Sequence, residues 1–344
     1  MNLVPVAIAG ATGYSGEELI RLLMRHPEIE LVCVTSRGNA GARLGEVFPK
    51  FEGEKYAGLN FSASETEAIA ASGAKIAFLA LPHGAAAPFA QALLAAGVRV
   101  IDLSADFRLK DAEVYREYYG HEHPAPELLE KSVYGIPELY RAELRTALLT
   151  ASAGCYPTSV IVPLHPLLKR GLIDPASIVV ASMSGVSGAG RNVAAEYLYA
   201  ECNENARPYG VPKHRHVAEI EQELSVAAGE RVMINFTPHL IPVTRGILST
   251  TFAMPRAGVA PEAINEALEA AYGEETFIRL RGEKETVELK NVAYTNFLDI
   301  AWRHDPRTGR LILMSAEDNL VKGAAGQAVQ NMNVMCGWAE ATGL

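Results

Sequence analysis

Three glycines near the start of the chain constrain its fold more than any other feature. Gly10, Gly13 and Gly16 follow a short apolar run at Val4–Ala9, and residues 16–26 then show the apolar periodicity of a helix. A strand, a glycine loop and a helix in this order are typical of the first unit of a dinucleotide-binding fold. The spacing G-x-x-G-x-x-G is a variant of the more familiar G-x-G-x-x-G. The loop predicts a pyrophosphate site at the helix N-terminus, where free N–H groups and the helix dipole favour an anion.

The segment after the second predicted strand, Ile29–Thr35, indicates which dinucleotide is bound. NAD enzymes carry an acidic residue there, which accepts a hydrogen bond from the 2′-hydroxyl group of the ribose. This chain has Ser36 and Arg37 instead. Because an arginine can form a charge-assisted hydrogen bond with a 2′-phosphate, we expect NADP as the cofactor. The alternative role of Arg37 is that of a solvated loop residue.

The distribution of predicted strands and helices gives the fold class. In the first third of the chain, further strands are predicted at 76–81 and 98–103, with a helix at 85–96 between them. Strands separated by helices imply a parallel, doubly wound sheet. From residue 151 onward the pattern changes to β-rich runs, predicted at 178–183, 247–254 and 311–315, with a helix at Pro261–Tyr272 and a closing helix at 321–340.

The chain is therefore predicted to be an α/β protein with two domains. A Rossmann-type doubly wound parallel sheet ends near residue 150, and a second α+β domain with a more antiparallel sheet follows. A length of 344 residues, of which 49% are hydrophobic, is enough to fill two cores.

Charge and cysteine usage exclude several classes of partner. The net charge of −9 argues against binding to nucleic acid or to an anionic membrane, because both favour a basic patch. Four cysteines without a C-x-x-C pair fit a reducing compartment, and no basic segment precedes the first apolar run, so we expect a cytoplasmic protein. Two charge-free stretches, residues 76–98 and 146–168, contain prolines and a histidine, and we do not expect them to cross a membrane.

Cys155 is the candidate nucleophile among the four cysteines. It follows Gly154 and lies two residues before Pro157, which indicates a sharp turn from a strand into a helix. A helix N-terminus favours the thiolate, which is the attacking form of cysteine. A buried structural cysteine is the alternative role. Of the others, Cys33 and Cys336 are expected in the core, and Cys202 at the surface.

A basic cluster at residues 213–216, Lys-His-Arg-His, offers a proton acceptor for such a thiol. Histidine titrates near neutral pH and can act as an acid and a base, although a solvated turn before a helix is an equal alternative. A zinc site is less consistent with the sequence, because no other cysteine or histidine pair completes a ligand set. A serine hydrolase is less consistent still, because the sequence contains no G-x-S-x-G elbow.

Two further loops follow predicted strands. Arg108 comes after the strand at 98–103, where α/β sheets bind their ligands, so it is a candidate for a substrate phosphate or carboxylate, with a surface salt bridge as the alternative. The glycine-rich loop that contains Ser187 and Gly188 follows the strand at 178–183 and can allow the backbone to approach a cofactor.

Taken together, these motifs resemble the N-acetyl-gamma-glutamyl-phosphate reductases of arginine biosynthesis, in the aspartate-semialdehyde dehydrogenase superfamily. The resemblance extends over nearly the whole chain. The matching segments are GATGYSG at 10–16, TSR at 35–37, ALPHG at 80–84, DLSADFRL at 102–109, YGIPEL at 134–139, GCYPT at 154–158, SGAGR at 187–191, KHRH at 213–216, RGIL at 245–248 and DNLVKGAAGQAVQNMN at 318–333.

The resemblance implies a role for each candidate residue. Cys155 would be the nucleophile and His216 the acid–base residue, with Glu219 one helical turn away as an orienting group. Ser187, Gly188 and Asn319 would lie by the nicotinamide. The residues expected to hold the rest of NADP are Gly10, Thr12, Gly13, Tyr14, Ser15, Gly16, Ser36 and Arg37. No metal is implied.

The resemblance also implies a domain division and an assembly. Residues 1–150 would form the NADP-binding domain and be completed by a C-terminal helix at 319–344, while residues 151–318 would form the catalytic and dimerisation domain. The family suggests a homodimer or a homotetramer.

The reaction implied is the reductive dephosphorylation of a small-molecule acyl phosphate through a thioester, with oxyanion donors from the glycine-rich backbone near Cys155. Two alternatives remain at this point. One is a related reductase of lysine biosynthesis, which acts on a carrier-protein-bound aminoadipyl or glutamyl phosphate. The other is a regulator that binds NADP without catalysis.

Overall fold

The computed structural model describes residues 3–344, which form two compact units. Unit 1 contains the chain up to Ala153 together with Ala324–Leu344, and unit 2 contains Gly154–Gly323. The C-terminal segment thus packs with the N-terminal part of the chain, and unit 2 begins at Gly154, the residue before Cys155.

Each unit contains one seven-stranded sheet. The strands of unit 1 are β1 (Val4–Ala9), β2 (Ile29–Thr35), β3 (Phe61–Ser62), β4 (Ile76–Leu79), β5 (Arg99–Asp102), β6 (Val133–Gly135) and β7 (Leu149–Ser152). Their order is β3-β2-β1-β4-β5-β7-β6, and every neighbouring pair is parallel. This sheet confirms the predicted doubly wound fold.

The sheet of unit 2 is mixed, with more antiparallel than parallel pairs. Its strands are β8 (Ile173–Ser184), β9 (Arg207–Pro208), β10 (Asn235–Leu240), β11 (Ile247–Pro255), β12 (Ile278–Gly282), β13 (Leu298–Asp305) and β14 (Arg310–Glu317). Their order is β12-β13-β14-β11-β8-β10-β9, and only β8 with β10 and β12 with β13 are parallel. The predicted α+β character of this region is confirmed.

The helices connect and cover these strands. Unit 1 contains α1 (Tyr14–Leu23), α2 (Leu44–Val47), α3 (Thr66–Ala71), α4 (Ala86–Ala95), α5 (Ala112–Tyr119) and α6 (Pro137–Leu144). Unit 2 contains α7 (Cys155–Lys169), α8 (Tyr199–Cys202), α9 (His216–Ala228) and α10 (Pro261–Tyr272). The last helix, α11 (Gly326–Cys336), follows a π-helical segment at Val321–Ala325 and belongs to unit 1.

Strand β1 shows how the core of unit 1 is divided between the two faces of its sheet. Val6 and Ile8 pack in one cluster, which includes Val329 and Met332 of α11. The alternate residues of β1 pack in the cluster on the other face, which contains residues of α4. Successive side chains of a strand point to opposite faces, so a strand covered on both sides is apolar throughout.

The boundaries of several predicted elements differ from those observed. Helix α1 begins at Tyr14, because Gly13 has extended backbone and is the N-cap. The predicted closing helix is too long at its end, because Gly337 adopts a left-handed conformation with φ +73° and terminates α11. The two charge-free stretches are divided among strands and shorter helices, and no described helix is long and apolar enough to span a membrane.

Candidate active site

The glycine loop in unit 1 leaves space for a ligand at one of its three glycines. A Cβ atom on Gly10 would lie 2.4 Å from the carbonyl oxygen of Ala80, and one on Gly16 would lie 2.5 Å from the carbonyl oxygen of Gly10. These two glycines are therefore required by the packing of the chain itself. A Cβ atom on Gly13 would have one neighbour only, at 3.7 Å. The loop thus fits a cofactor whose phosphates approach the backbone at Gly13.

The N-terminus of α1 and the end of β2 meet at this loop. Gly13 caps α1 without a side-chain hydrogen bond, and the half-buried Tyr14 and Ser15 begin the helix. The hydroxyl groups of Thr12 and Ser36 share a hydrogen bond of 3.1 Å. Ser36 is buried, whereas Arg37 is exposed. The arrangement places a helix N-terminus without a side-chain cap and two hydroxyl groups at this loop, and Arg37 follows Ser36 in the chain.

Arg108 is buried at the C-terminal edge of the parallel sheet. Its Nε donates to the carbonyl oxygen of Ser152 (2.8 Å), and its Nη2 donates to that of Leu103 (2.7 Å). The alternative of a surface salt bridge is excluded by this burial. These two hydrogen bonds stabilise the edge of the sheet, and the substrate-binding role of Arg108 remains a prediction.

Cys155 is the first residue of α7 and is half-buried. Gly154, the N-cap, carries no side chain that would compete for the helix N-terminus. Its N–H donates to Oε1 of Glu219 over 2.8 Å. This N–H is therefore not available as an oxyanion donor, and a position at the first helical residue favours the thiolate form of Cys155.

The two histidines of the basic cluster lie in an aromatic group within unit 2. His216 is the first residue of α9 and is buried, and its ring centroid lies 5.0 Å from that of His214. Tyr156, the neighbour of Cys155, contacts both rings, with centroid distances of 5.6 Å to His214 and 6.0 Å to His216. The structure thus brings the cysteine turn and His216 to one site and excludes the alternative of a solvated turn for His216.

His214 and the tyrosines differ from solvated groups in their ionisation. Burial, with a smaller contribution from Arg215, lowers the pKa of His214 to about 4. Its Nδ1 accepts the backbone N–H of His216 (3.2 Å), which requires an unprotonated nitrogen. The hydroxyl groups of Tyr156 and Tyr209 share a hydrogen bond of 2.8 Å, and burial raises the pKa of both. The imidazole of His214 is therefore neutral near pH 7, and its ring lines the site.

Ser187 and Asn319 are in direct contact, and their position beside a nicotinamide remains a prediction. Nδ2 of Asn319 donates to Oγ of Ser187 (3.0 Å), and Oδ1 of Asn319 accepts the N–H of Gly246 (2.8 Å). Gly188 is exposed beside them, and a Cβ atom there would lie 3.8 Å from Nδ2 of Asn319. Asn319 holds this loop in place within unit 2.

Sequence reasoning did not identify several residues of the site. Tyr156 is part of the GCYPT segment, and Glu317 immediately precedes the segment that begins with Asp318, so the neighbouring motifs could have identified both residues. No motif in the sequence indicates Tyr209 or Phe236. Glu317 is completely buried, and its Oε1 and Cβ of Cys155 would each lie 2.7 Å from a Cβ atom on Gly323.

Among residues 3–344, no group of three histidine, cysteine, aspartate or glutamate side chains lies close enough to hold a metal ion.

Comparison with known families defines the class of protein. Residues 5–147 match the model of the semialdehyde dehydrogenase NAD binding domain, and residues 155–319 match that of the semialdehyde dehydrogenase dimerisation domain. The chain thus has the two domains of a semialdehyde dehydrogenase, an oxidoreductase with a nucleotide cofactor.

Full-length relatives give the particular family. The N-acetyl-gamma-glutamyl-phosphate reductase of Akkermansia muciniphila is 56% identical and covers 100% of this chain and 99% of its own length. That of Pelotomaculum thermopropionicum is 51% identical, with 99% of this chain and 97% of the relative covered. The chain belongs to the N-acetyl-gamma-glutamyl-phosphate reductase family.

Solved structures of more distant proteins share the fold. Aspartate semialdehyde dehydrogenase II of Vibrio cholerae has a TM-score of 0.73 at 20% identity, with 98% of this chain and 99% of that chain covered. Aspartate semialdehyde dehydrogenase of Candida albicans, solved with NADP, has a TM-score of 0.73 at 14% identity, with 97% and 99% covered. At these identities the similarity concerns the fold alone.

Proposed function

We propose that the protein reduces N-acetyl-L-glutamyl 5-phosphate to N-acetyl-L-glutamate 5-semialdehyde with NADPH, in arginine biosynthesis. The observation that carries this function is the position of Cys155 at the N-terminus of α7. The preceding residue, Gly154, is hydrogen-bonded to Glu219 in the helix that begins with His216. The family to which the chain belongs supplies the substrate.

In the mechanism, the thiolate of Cys155 attacks the acyl carbon of the substrate. The bond between this carbon and the phosphate oxygen breaks, inorganic phosphate leaves, and a thioester remains on Cys155. NADPH, when bound, supplies the hydride that reduces the thioester. His216 accepts the thiol proton before the attack and returns a proton to the departing sulfur or to the hemithioacetal oxygen.

The cofactor site is proposed at the loop from Gly10 to Gly16. The N-terminus of α1 would bind the pyrophosphate, and Ser36 and Arg37 would bind the 2′-phosphate that distinguishes NADP from NAD. Ser187, Gly188 and Asn319 would lie by the nicotinamide. Arg108 is the candidate for an anionic group of the substrate, because its positive charge lies at the ligand-binding edge of the sheet.

The sheet of unit 2 has exposed apolar side chains, and these support a proposal for the assembly. Val179 and Met183 of β8 are 39% and 45% exposed, and β11 places Phe252 and Leu248 opposite them in the same sheet. An apolar sheet face of this kind favours assembly, and we propose a homodimer or homotetramer formed through it.

The four free thiols are consistent with a cytoplasmic protein.

The reverse reaction tests the proposed function directly. Purified protein is incubated with N-acetylglutamate semialdehyde, NADP and inorganic phosphate, and the formation of NADPH is followed. The rate should depend on phosphate, because phosphate releases the acyl group from Cys155. A protein that ignores N-acetylglutamyl phosphate but reduces a carrier-bound acyl phosphate would contradict the proposed substrate.

A further inference from the structure

Glu317 lies beside the candidate nucleophile, although the proposed mechanism does not use it. It is the last residue of β14, and its side chain is completely buried. A methyl group on Gly323 would lie 2.7 Å from its Oε1 and equally close to Cβ of Cys155, distances at which one of the groups must move. The carboxyl group and the cysteine therefore border the same small space above Gly323.

The backbone imposes this proximity. Strand β14 fixes Glu317 by pairing it with Ile247 on one side and Leu298 on the other. The turn that follows is held by Asp318, whose Oδ1 accepts the N–H groups of Leu320 and Val321, and whose carbonyl oxygen accepts the N–H of Gly323. Gly323 therefore lies next to Cys155, the first residue of α7. Because Gly323 has no side chain, nothing from this residue separates Glu317 from Cys155.

The charged groups around this space act on the thiol in opposite directions. The N-terminus of α7 favours a thiolate, whereas a carboxylate within a few ångströms disfavours it. Glu219 is bound to the N–H of Gly154, and Asp318 is paired with Arg245. Two groups that can carry a positive charge belong to the same unit. They are Lys322, which is completely buried in the turn before Gly323, and His216. Glu317 borders the same space above Gly323 as Cβ of Cys155.

We propose that Glu317 is a positioning residue that controls the ionisation of Cys155. Its negative charge keeps the thiol protonated in the resting protein, so that the thiolate forms when His216 takes the proton from Sγ. This role rests on the proposed function only in that Cys155 is the nucleophile. It explains why a glycine is needed at position 323, where any larger residue would separate the two groups.

Alkylation of the free protein by iodoacetamide tests the proposal without substrate or cofactor. The rate is measured against pH for the wild type and for Glu317→Gln, which has nearly the same shape and no charge. We expect the midpoint of the profile to fall by about one pH unit, which makes alkylation about tenfold faster below the midpoint. Cys155→Ser identifies the part of the signal that comes from Cys155.

Matched variants separate charge from structure. Glu18→Gln removes a buried glutamate that is paired with Arg21 in unit 1, and it should leave the midpoint unchanged. Glu317→Asp keeps the charge and should stay near the wild-type midpoint. If Glu317→Gln does not fold, Gly323→Ala, which forces the two groups apart, should lower the midpoint.

An unchanged midpoint in folded Glu317→Gln would overturn the proposal. A rise in the midpoint would also overturn it, because it would make Glu317 the acceptor of the thiol proton. Neither result depends on the substrate, so a failure here is distinguishable from an incorrect assignment of the reaction.

Discussion

The backbone N–H of Gly154 donates a 2.8 Å hydrogen bond to Oε1 of Glu219. Because Gly154 precedes Cys155 and Glu219 lies one helical turn after His216, this single bond joins the starts of α7 and α9. Both ends of the bond are buried. The relative placement of the thiol and the imidazole therefore depends on a charge-assisted bond that is shielded from water.

Replacement of the nucleophile should abolish turnover and leave cofactor binding intact. In Cys155→Ser the hydroxyl group is a far weaker nucleophile than a thiolate, and the proposed cofactor loop belongs to unit 1, whereas Cys155 belongs to unit 2. The measurements are NADPH consumption and the binding of NADPH by fluorescence. Cys33→Ser and Cys336→Ser are the controls and should remain active; near-normal turnover of Cys155→Ser would end the thioester mechanism.

His216→Asn should lower kcat by about 10²–10⁴-fold, the usual size of an acid–base contribution. His214→Asn should have a smaller effect, since His214 packs against His216 and Tyr156 as an aromatic wall. Steady-state kinetics of both variants check this order. A larger loss in His214→Asn would transfer the acid–base role to the first histidine.

The pH profile distinguishes the two histidines in another way. Because burial lowers the pKa of His214 to about 4, this residue stays neutral between pH 6 and pH 8. A limb of the kcat/KM profile near neutral pH should therefore persist in His214→Asn. Its disappearance in that variant would show that His214 titrates during catalysis.

Arg37→Ala should weaken the binding of NADPH and hardly change that of NADH. The loss expected is about 1–3 kcal/mol, the magnitude of a hydrogen bond to a charged group. Titrations of the variant with both cofactors measure the difference. Equal losses for NADPH and NADH would show that Arg37 does not contact the 2′-phosphate.

The carboxyl group of Asp102 should make unit 1 less stable at higher pH. Burial, followed by the charge of Asp106, raises the pKa of Asp102 from 3.8 to about 7. The folded chain therefore binds this proton more tightly than the unfolded chain, so its contribution to the free energy of unfolding is lost as the pH rises through this interval. Urea unfolding at pH 5 and pH 8 should show a smaller decrease in Asp102→Asn than in the wild type. An equal decrease of the free energy of unfolding in both proteins would contradict the raised pKa of Asp102.

Local patterns in the sequence were sufficient for much of the secondary structure. The bounds of β1, β2 and α10 match the predicted Val4–Ala9, Ile29–Thr35 and Pro261–Tyr272. Apolar periodicity and glycine or proline punctuation act over a few residues, and these elements depend on little else. The same is true of the strand, loop and helix around Gly13, and of Cys155 at the start of a helix.

Only the tertiary structure decided which distant residues share the site. Tyr209 contacts Tyr156, and Glu317 comes beside Cys155, because the mixed sheet and the turn at Asp318 bring separate segments together. It also decided that the N–H of Gly154 binds Glu219 and that His214 is buried enough to remain neutral. Ionisation and reactivity depend on burial and on charges within a few ångströms, and no pattern along the chain specifies those distances.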